Sequence, residues 1–340
     1  MVGLTPLNDV KAVMVWRSPN QQRNHESTMP RRIMPASQPP LWTILGAGAL
    51  GGVLASLLQL SGQSVRVMLR DEQRARLHPQ FDFTSLDGNQ HVLDIPRAFP
   101  SDIAQTRRLL VVTKAGQILP ALRPLVGKLP REVPIVLLHN GMGIAEQVAA
   151  LFPDNPLLLA VTSHGALRSG HFTFRHTGKG ESWVGPYNPA AQQHTALADD
   201  LARALGQAGW DEQITGRQWQ KLAINCMINP LTALHRVTNG ELTAPRFAEA
   251  LEQLSVELAD VMQAEGMSVS ADELLRRTLA VAELTAENHS SMLQDMEAGR
   301  PTEIEAITGF LLECAERHGI AVPVSRTLYQ AIKEKQAQGL

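Results

Sequence analysis

The feature that most constrains the fold of this chain is a short apolar run followed directly by three spaced glycines. Residues 41–45 suit a buried strand, a helical pattern runs to about residue 60, and between them lies the motif Gly46-Ala47-Gly48-Ala49-Leu50-Gly51. In such a unit the first glycine permits a tight turn, the second lets a diphosphate approach, and the third lets the helix pack on the strand. The amide groups at the start of the helix then face the phosphates. The motif predicts a dinucleotide-binding loop, with a plain strand-to-helix turn as the alternative.

Apolar strands and helical patterns alternate over the first two thirds of the chain. Further strand candidates are residues 65–69, 109–113, 135–138 and 157–161. This alternation predicts a parallel sheet with helices on both faces, and residues 172–184 suggest an antiparallel addition at its edge. After about residue 215 only helical patterns occur, at 247–264, 271–293 and 301–317. The predicted fold class is an α/β Rossmann-type dinucleotide-binding domain followed by an all-α C-terminal domain.

The length of 340 residues favours two domains. We expect a dinucleotide-binding domain at 41–212 and a helical substrate and catalytic domain at 213–340. Residues 17–40 are rich in Pro, Ser, Asn, Gln and Arg and have no apolar periodicity, so we expect residues 1–40 to form a disordered tail. The apolar run at 12–16 is too short for a signal peptide. A transit peptide and a start codon placed too far upstream, before Met29 or Met34, are the alternatives.

Composition excludes several classes of protein. A hydrophobic content of 44%, a charged content of 19% and a net charge of -2 are typical of a soluble globular protein and argue against a nucleic-acid partner. No apolar run approaches the roughly 18 to 20 residues that cross a bilayer, so we expect no membrane association. The two cysteines, Cys226 and Cys314, form neither a metal-ligand spacing nor a disulfide framework. We therefore expect no metal site and a reducing, cytoplasmic location.

Polar side chains recur at every fourth position of one run, with only apolar residues between them. These side chains are Lys221, Asn225 and Asn229, which a helix would place on one face. A lysine is rarely buried unpaired, because desolvation penalises its charge. One cation and two amides directed into a common space indicate a lined pocket. The alternative is a salt-bridged core lysine, with the two amides capping neighbouring backbone groups.

Three positions that follow predicted strands are candidates for cofactor contact. Arg70 follows the second strand, where its guanidinium could bind the 2′-phosphate of NADP(H); Asp71 could bind the ribose of NAD instead. Lys114 is either a cofactor contact or a solvated loop lysine. Asn140 precedes Gly141 and could bridge nicotinamide and substrate, or simply form an Asn-Gly turn.

Together these residues resemble the ketopantoate reductase family, also called 2-dehydropantoate 2-reductase, of pantothenate biosynthesis. Besides the glycine motif, the similar segments are residues 139–143, 221–231, 239–242, 286–295 and 302–304. The resemblance extends from about residue 41 to about residue 330. The lysine helix and the Ser-Ser-Met-Leu-Gln-Asp segment are its most specific parts. The N-terminal extension and Gly116, where a larger residue is expected, depart from the family pattern.

The resemblance implies NADPH-dependent reduction of 2-dehydropantoate to (R)-pantoate, with Lys221 as the proton donor. The implied substrate-binding residues are Lys221 itself, Asn140, Asn225, Asn229, Asn239, Ser291, Met292, Leu293 and Gln294. The implied cofactor-binding residues are Gly46, Ala47, Gly48, Ala49, Leu50, Gly51, Arg70, Lys114, Asn140, Ala166 and Glu303. The substrate is then a small 2-oxo acid. A homodimer is compatible with the sequence.

The predicted chemistry needs a protonated amine beside the carbonyl oxygen, where hydride transfer builds negative charge. Burial opposes protonation of Lys221, so a nearby carboxylate is needed. Glu303 is the candidate, and a first-turn helix residue favoured by the helix dipole is the alternative. Ser291 could bind the substrate carboxylate or face solvent. Alternative functions are a dehydrogenase of another small 2-oxo or 3-hydroxy acid, and a redox-sensing regulator that binds NADP(H) without chemistry.

Overall fold

The computed structural model describes residues 31–33, for which only the backbone is considered, 42–69 and 80–338. The strands are β1 Arg31–Ile33, β2 Trp42–Leu45, β3 Val65–Met68, β4 Phe81–Thr84, β5 Gln90–Leu93, β6 Arg97–Ala98, β7 Leu109–Val111, β8 Ile135–Leu138, β9 Leu157–Thr162, β10 Gly165–Gly170, β11 Thr173–Gly178, β12 Ser182–Pro186 and β13 Ala208–Trp210. The α-helices are α1 Ala49–Leu60, α2 Ala115–Leu122, α3 Ala145–Leu151, α4 Ala196–Leu205, α5 Ile214–His235, α6 Ala248–Ala264, α7 Ala271–Leu284, α8 Ser291–Glu297, α9 Phe310–His318 and α10 Pro323–Ala337.

The main sheet has eight strands in the order β13-β12-β9-β8-β7-β2-β3-β6. From β9 to β6 all neighbouring strands are parallel, whereas β12 runs antiparallel to β9. Helices α1 and α4 pack on one face of the sheet, through Val53 and Leu197, and α2 and α3 pack on the other, through Ile118 and Val148. The predicted Rossmann-type α/β domain is confirmed.

A second sheet of five strands, in the order β1-β5-β4-β11-β10, was not anticipated. The prediction of an antiparallel addition at the edge of the main sheet holds for β12 but is wrong for β11, which pairs with β10 and β4. Phe81 explains the difference, because its ring packs 5.1 Å from that of Phe172 and 5.0 Å from that of Phe174. These aromatic residues belong to the buried cluster that joins the second sheet to α1 and to the main sheet.

The second sheet also includes part of the predicted tail. Residues Arg31–Ile33 form β1, which pairs in parallel with β5, so the expectation of disorder is wrong for these residues. The physical reason is that the outer edge of β5 offers backbone groups for pairing, and a short segment can use them whatever its composition. The remainder of residues 1–40 lies outside the described part of the chain.

The C-terminal half is helical, as predicted, and is built around α5. One buried cluster joins α5 to the surrounding helices through residues such as Trp219, Leu258 and Leu311. The predicted single helix at 271–293 is wrong, since α7 ends at Leu284 and α8 begins at Ser291. The break is stabilised from elsewhere: residues 286 and 288 accept backbone hydrogen bonds from residues 240 and 239, and the Ser290 hydroxyl caps α8.

The predicted helix at 301–317 also begins later than expected. Residues 301–304 are not helical, Glu305–Gly309 form a π-helix, and α9 follows directly. Glu303, just before the π-helix, accepts hydrogen bonds from Asn140 and Ala115 of the α/β domain.

Within the described residues, no helix is both long and apolar enough to cross a membrane.

Candidate functional site

The glycine motif connects β2 to α1 in a tight turn. Gly46 has a φ of +119°, which disfavours any side chain, and a Cβ on Gly51 would lie 2.0 Å from the Gly46 carbonyl oxygen. A Cβ on Gly48, by contrast, would meet nothing within 4 Å. The start of α1 has no side-chain cap and no acidic residue in its first turn. The loop therefore leaves open space in front of uncapped amide groups, a suitable arrangement for binding phosphate.

The adjacent strands β7 and β8 end beside this loop, and a carboxylate from the helical half lies there. Glu303 accepts hydrogen bonds from the Asn140 side-chain amide at 2.9 Å and from the Ala115 backbone N–H at 3.2 Å. A Cβ on Gly46 would lie 2.9 Å from the Thr113 side chain, so the loop contacts the end of β7 directly. Glu303 and Asn140, 163 residues apart in sequence, thus meet at the edge of the sheet that carries the glycine loop.

Lys221 approaches the same region from α5. Its ammonium donates a hydrogen bond to the backbone carbonyl of Thr162, at the end of β9, at a distance of 2.9 Å. Burial lowers the pKa of Lys221 to about 8, and the nearby Glu303 carboxylate opposes that shift. Burial in turn raises the pKa of Glu303, while the hydrogen bonds from Asn140 and Ala115 and the charges of Lys114 and Lys221 lower it. Both residues are half-buried, and each charge favours the charged form of the other group.

The amides on the Lys221 face of α5 are not used to cap backbone groups. Neither the Asn225 nor the Asn229 side chain makes a hydrogen bond to any described residue, although Asn229 is 6% exposed. Asn155, by comparison, is a buried amide that donates to two carbonyl groups, of Pro130 and Val133. Two polar groups left without protein partners beside Lys221 suit a lined pocket better than a structural lysine.

The other residues of the implied substrate site fall into two groups. Ser291 and Gln294 are exposed near the start of α8. Asn239 donates to Thr285 at 2.9 Å, while its buried amide oxygen has no partner among the residues that the structure describes. Met292 and Leu293 have their side chains in the helical core, at 2% and 1% exposure. Their side chains are therefore not available for contact with a small molecule.

Lys114 is engaged within the protein. Its ammonium lies 2.6 Å from Asp295 of α8 and 2.7 Å from the carbonyl oxygen of Pro301. The lysine is thus not a freely solvated loop residue, and it joins the end of β7 to the helical half. Ala166 lies partly buried on β10, whose strand packs near α1. Arg70 and Asp71 lie outside the described residues.

Two parts of the site were not assigned a role from sequence. The Thr162 carbonyl that accepts from Lys221 had no signal, because every residue carries a carbonyl. His139, next to Asn140, has both ring nitrogens buried without a partner among the described residues. Burial and the neighbouring Lys221 lower the pKa of His139 to about 4, so the ring is neutral at physiological pH. A histidine directly before the Asn-Gly pair was the available clue.

Comparison with known proteins supports the relation that the motifs suggested. The model of the family Ketopantoate reductase PanE/ApbA matches residues 42–189, and the model of its C-terminal domain matches residues 213–336. A 2-dehydropantoate 2-reductase of Vibrio cholerae is 38% identical over 290 residues, which cover 85% of this chain and 96% of that protein. The chain belongs to the ketopantoate reductase family.

Solved structures agree with this membership at the level of the fold. A D-mandelate dehydrogenase with NADH and anilino(oxo)acetate has a TM-score of 0.82 and 20% identity, covering 88% of this chain and 99% of that one. A dimeric ketopantoate reductase from Staphylococcus aureus has a TM-score of 0.74 and 22% identity, with the same coverage of both chains. The ketopantoate reductase family member described here therefore shares one overall architecture with both enzymes.

Proposed function

We propose that this protein reduces 2-dehydropantoate to (R)-pantoate with NADPH, and that Lys221 donates the proton. The observation that carries the proposal is that Lys221, bound to the Thr162 carbonyl, and Glu303, bound to Asn140, lie close enough at the strand ends for each charge to shift the pKa of the other. The name of the Vibrio cholerae relative supports the choice of substrate. A bound reduced nicotinamide would supply the hydride. The chain's own residues would bind the 2-oxo acid, hold its carbonyl group and provide the proton.

The glycine loop fits a dinucleotide. Gly48 leaves the approach to the loop open, and the first turn of α1 carries no acidic side chain that would repel a diphosphate. Residues 46–51, together with Lys114, Ala166 and Glu303, would hold the cofactor, and Asn140 would lie between cofactor and substrate. Preference for NADPH over NADH rests on Arg70, whose guanidinium suits a 2′-phosphate.

Lys221 is proposed to act on the carbonyl oxygen. As negative charge develops there, an ammonium within hydrogen-bonding distance stabilises it and transfers a proton. The Thr162 carbonyl, 2.9 Å away, fixes the direction of the ammonium without neutralising it. With a pKa of about 8, Lys221 is charged at neutral pH and still gives up its proton readily.

The substrate would occupy the space in front of the Lys221 face of α5. The unpartnered amides of Asn225 and Asn229 can hydrogen-bond the oxygens of a hydroxylated acid. Ser291, exposed at the start of α8, is placed to bind a carboxylate, with Asn239, Gln294 and the backbone of residues 292–293 completing the pocket.

We further propose a domain division at residues 41–212 and 213–340, a cytoplasmic location and a homodimer. The free, buried cysteines Cys226 and Cys314 suit a reducing compartment. The dimeric enzyme from Staphylococcus aureus supports the assembly.

The test is loss of NADPH absorbance with 2-dehydropantoate, compared with a panel of other 2-oxo acids and with oxidation of 3-hydroxy acids. We expect Lys221→Met to reduce kcat by at least about a hundredfold, because positioned proton transfer contributes roughly 10² to 10⁴ in rate. NADPH affinity should be unchanged. Gln220→Met, an exposed neighbour on α5, is the matched control and should keep full activity.

Either of two results would overturn the proposal. If Lys221→Met retained most of the activity, the lysine would not be the proton donor. If another acid were turned over with a much higher kcat/KM than 2-dehydropantoate, the substrate assignment would be wrong and the alternative dehydrogenase function would replace it.

A further inference from the structure

Strand β10 carries an arginine to the mouth of the glycine loop. Arg168 is exposed; its Nε donates to the Gly170 carbonyl at 3.0 Å and its Nη1 to the Ala47 carbonyl at 3.4 Å. The second contact spans 121 residues of sequence and ends on the loop itself. Within the described part of the chain, no carboxylate forms an ion pair with this guanidinium.

The register of the second sheet explains why this side chain points to the loop. Arg168 lies directly opposite Phe174 in the antiparallel pair of β10 and β11, so the two side chains share a face of the sheet. Phe174 is fully buried against α1, since a Cβ on Gly52 would come within 2.3 Å of its ring. Ala166, two residues earlier on β10, lies on this face as well. Arg168 therefore extends along the α1 side towards the start of that helix.

The hydrogen bonds of Arg168 leave much of its guanidinium unused. A guanidinium has five N–H donors, and the contacts above use only one at Nε and one at Nη1. The contact with Ala47, at 3.4 Å, is near the upper limit for a hydrogen bond, and a neutral carbonyl is a weaker partner than an anion. The Ala47 contact places this guanidinium at the glycine loop that precedes α1, which is where the proposed cofactor would carry its diphosphate.

We propose that Arg168 binds the diphosphate of the dinucleotide, acting from the second sheet opposite the amide groups of α1. The inference rests on the proposed function for the identity of the cofactor. It adds a charged residue that the glycine motif does not include. Because the diphosphate is common to NADPH and NADH, Arg168 contributes equally to the binding of both and not to the choice between them.

The experiment is equilibrium binding of NADPH, NADH and ADP-ribose to the whole protein without substrate, measured for Arg168→Gln and Arg168→Lys. We expect Arg168→Gln to raise Kd roughly tenfold for all three ligands, as for loss of a charge-assisted contact. Arg168→Lys should recover part of the affinity. The dependence of Kd on salt should become weaker in Arg168→Gln, because one ionic contact is lost.

Arg175→Gln is the matched control. Arg175 is exposed on β11 next to Phe174, so it points away from α1 while carrying the same charge on the same sheet. We expect its Kd values and its thermal midpoint to equal those of the wild type, and Arg168→Gln to share that midpoint.

The outcomes distinguish the inference from the function it rests on. If Arg168→Gln bound the ligands as tightly as the wild type, or if Arg175→Gln lost the same affinity, the role of Arg168 would be rejected. The reductase proposal would remain intact in either case. A change confined to NADPH would assign Arg168 to the 2′-phosphate and would also reject the diphosphate contact. Failure of the wild type to bind any of the three ligands would overturn both.

Discussion

At the scale of single residues, the candidate site depends on how burial and charge set the pKa of Lys221. Burial lowers that pKa to about 8, and Glu303 limits the shift. His139 does not compete for the proton, because burial and Lys221 lower its pKa to about 4. In the range from about pH 5 to 8 the lysine is thus charged and the histidine neutral. Lys221, the proposed acid, is therefore protonated before the reaction begins, as proton donation requires.

The pH dependence of turnover tests this arrangement. Only protonated Lys221 can donate, so we expect kcat/KM for reduction to fall as pH rises through about 8. Glu303→Gln removes the charge that raises the pKa of Lys221, so the falling limb should move to lower pH. Glu303→Asp should move it back towards the wild-type position. These limbs are measured from initial rates across a pH series.

Two observations would contradict that account. One is a falling limb that keeps its position in Glu303→Gln, which would mean that the carboxylate does not act on the lysine. The other is the same limb in Lys221→Met, which would assign the titration to a different group.

At the scale of elements, the glycines in the turn from β2 to α1 are needed for different reasons. Gly46 and Gly51 are required by the backbone itself, because one has a positive φ and the other contacts the Gly46 carbonyl. Gly48 has an ordinary φ of -72° and open space around it. The fold itself therefore does not require a glycine at this position.

Two alanine substitutions distinguish a glycine that the backbone requires from one that leaves space for a ligand. Gly51→Ala should lower the thermal midpoint by several degrees, since its Cβ would lie 2.0 Å from a backbone oxygen and the turn must shift. Gly48→Ala should leave the midpoint unchanged but raise the Kd for NADPH at least about tenfold, because its methyl group occupies the approach of the diphosphate. Thermal denaturation and equilibrium binding give the two readouts. A Gly48→Ala protein that binds NADPH as tightly as wild type would contradict the proposed dinucleotide site.

At the scale of the whole molecule, polar contacts join the two halves at the site. Asn140 and Ala115 donate to Glu303, Met142 donates through its backbone to Ala306, and Lys114 pairs with Asp295. Asp295 is 7% exposed and also pairs with Arg300. Each contact connects a strand end of the α/β half to the segment 295–306 of the helical half. The site is therefore formed only when the halves are docked.

Loss of the Lys114–Asp295 contact should weaken this docking. We expect Asp295→Asn to lower the thermal midpoint by several degrees, because removing one partner leaves a lysine and an arginine without their buried counter-charge. Asp154→Asn is the matched control: its pair with Arg131 is exposed on both sides, at 55% and 83%, and should contribute almost nothing. Equal midpoints for the two variants would show that the buried pair does not stabilise the docked halves.

Features that depend on local periodicity could be predicted from the order of the amino acids alone. The glycine motif, the alternating strands and the polar face of α5 are each patterns of nearby residues, so the Rossmann-type fold, the helical C-terminal part and the shared helix face of Lys221, Asn225 and Asn229 could be predicted. Side-chain spacing along one element is fixed by its geometry whatever surrounds it.

Contacts between distant elements, by contrast, became known only from the folded structure. The pairing of β11 with β4, the break between α7 and α8, the contact of Glu303 with Asn140 and the position of Arg168 all join residues far apart in sequence. Such contacts follow from the packing of whole faces, of which Phe81 against Phe174 is an example, and no local pattern encodes the partner. The polar groups of the site could thus be identified from their spacing along the chain, whereas their positions relative to one another depend on the packing of the elements.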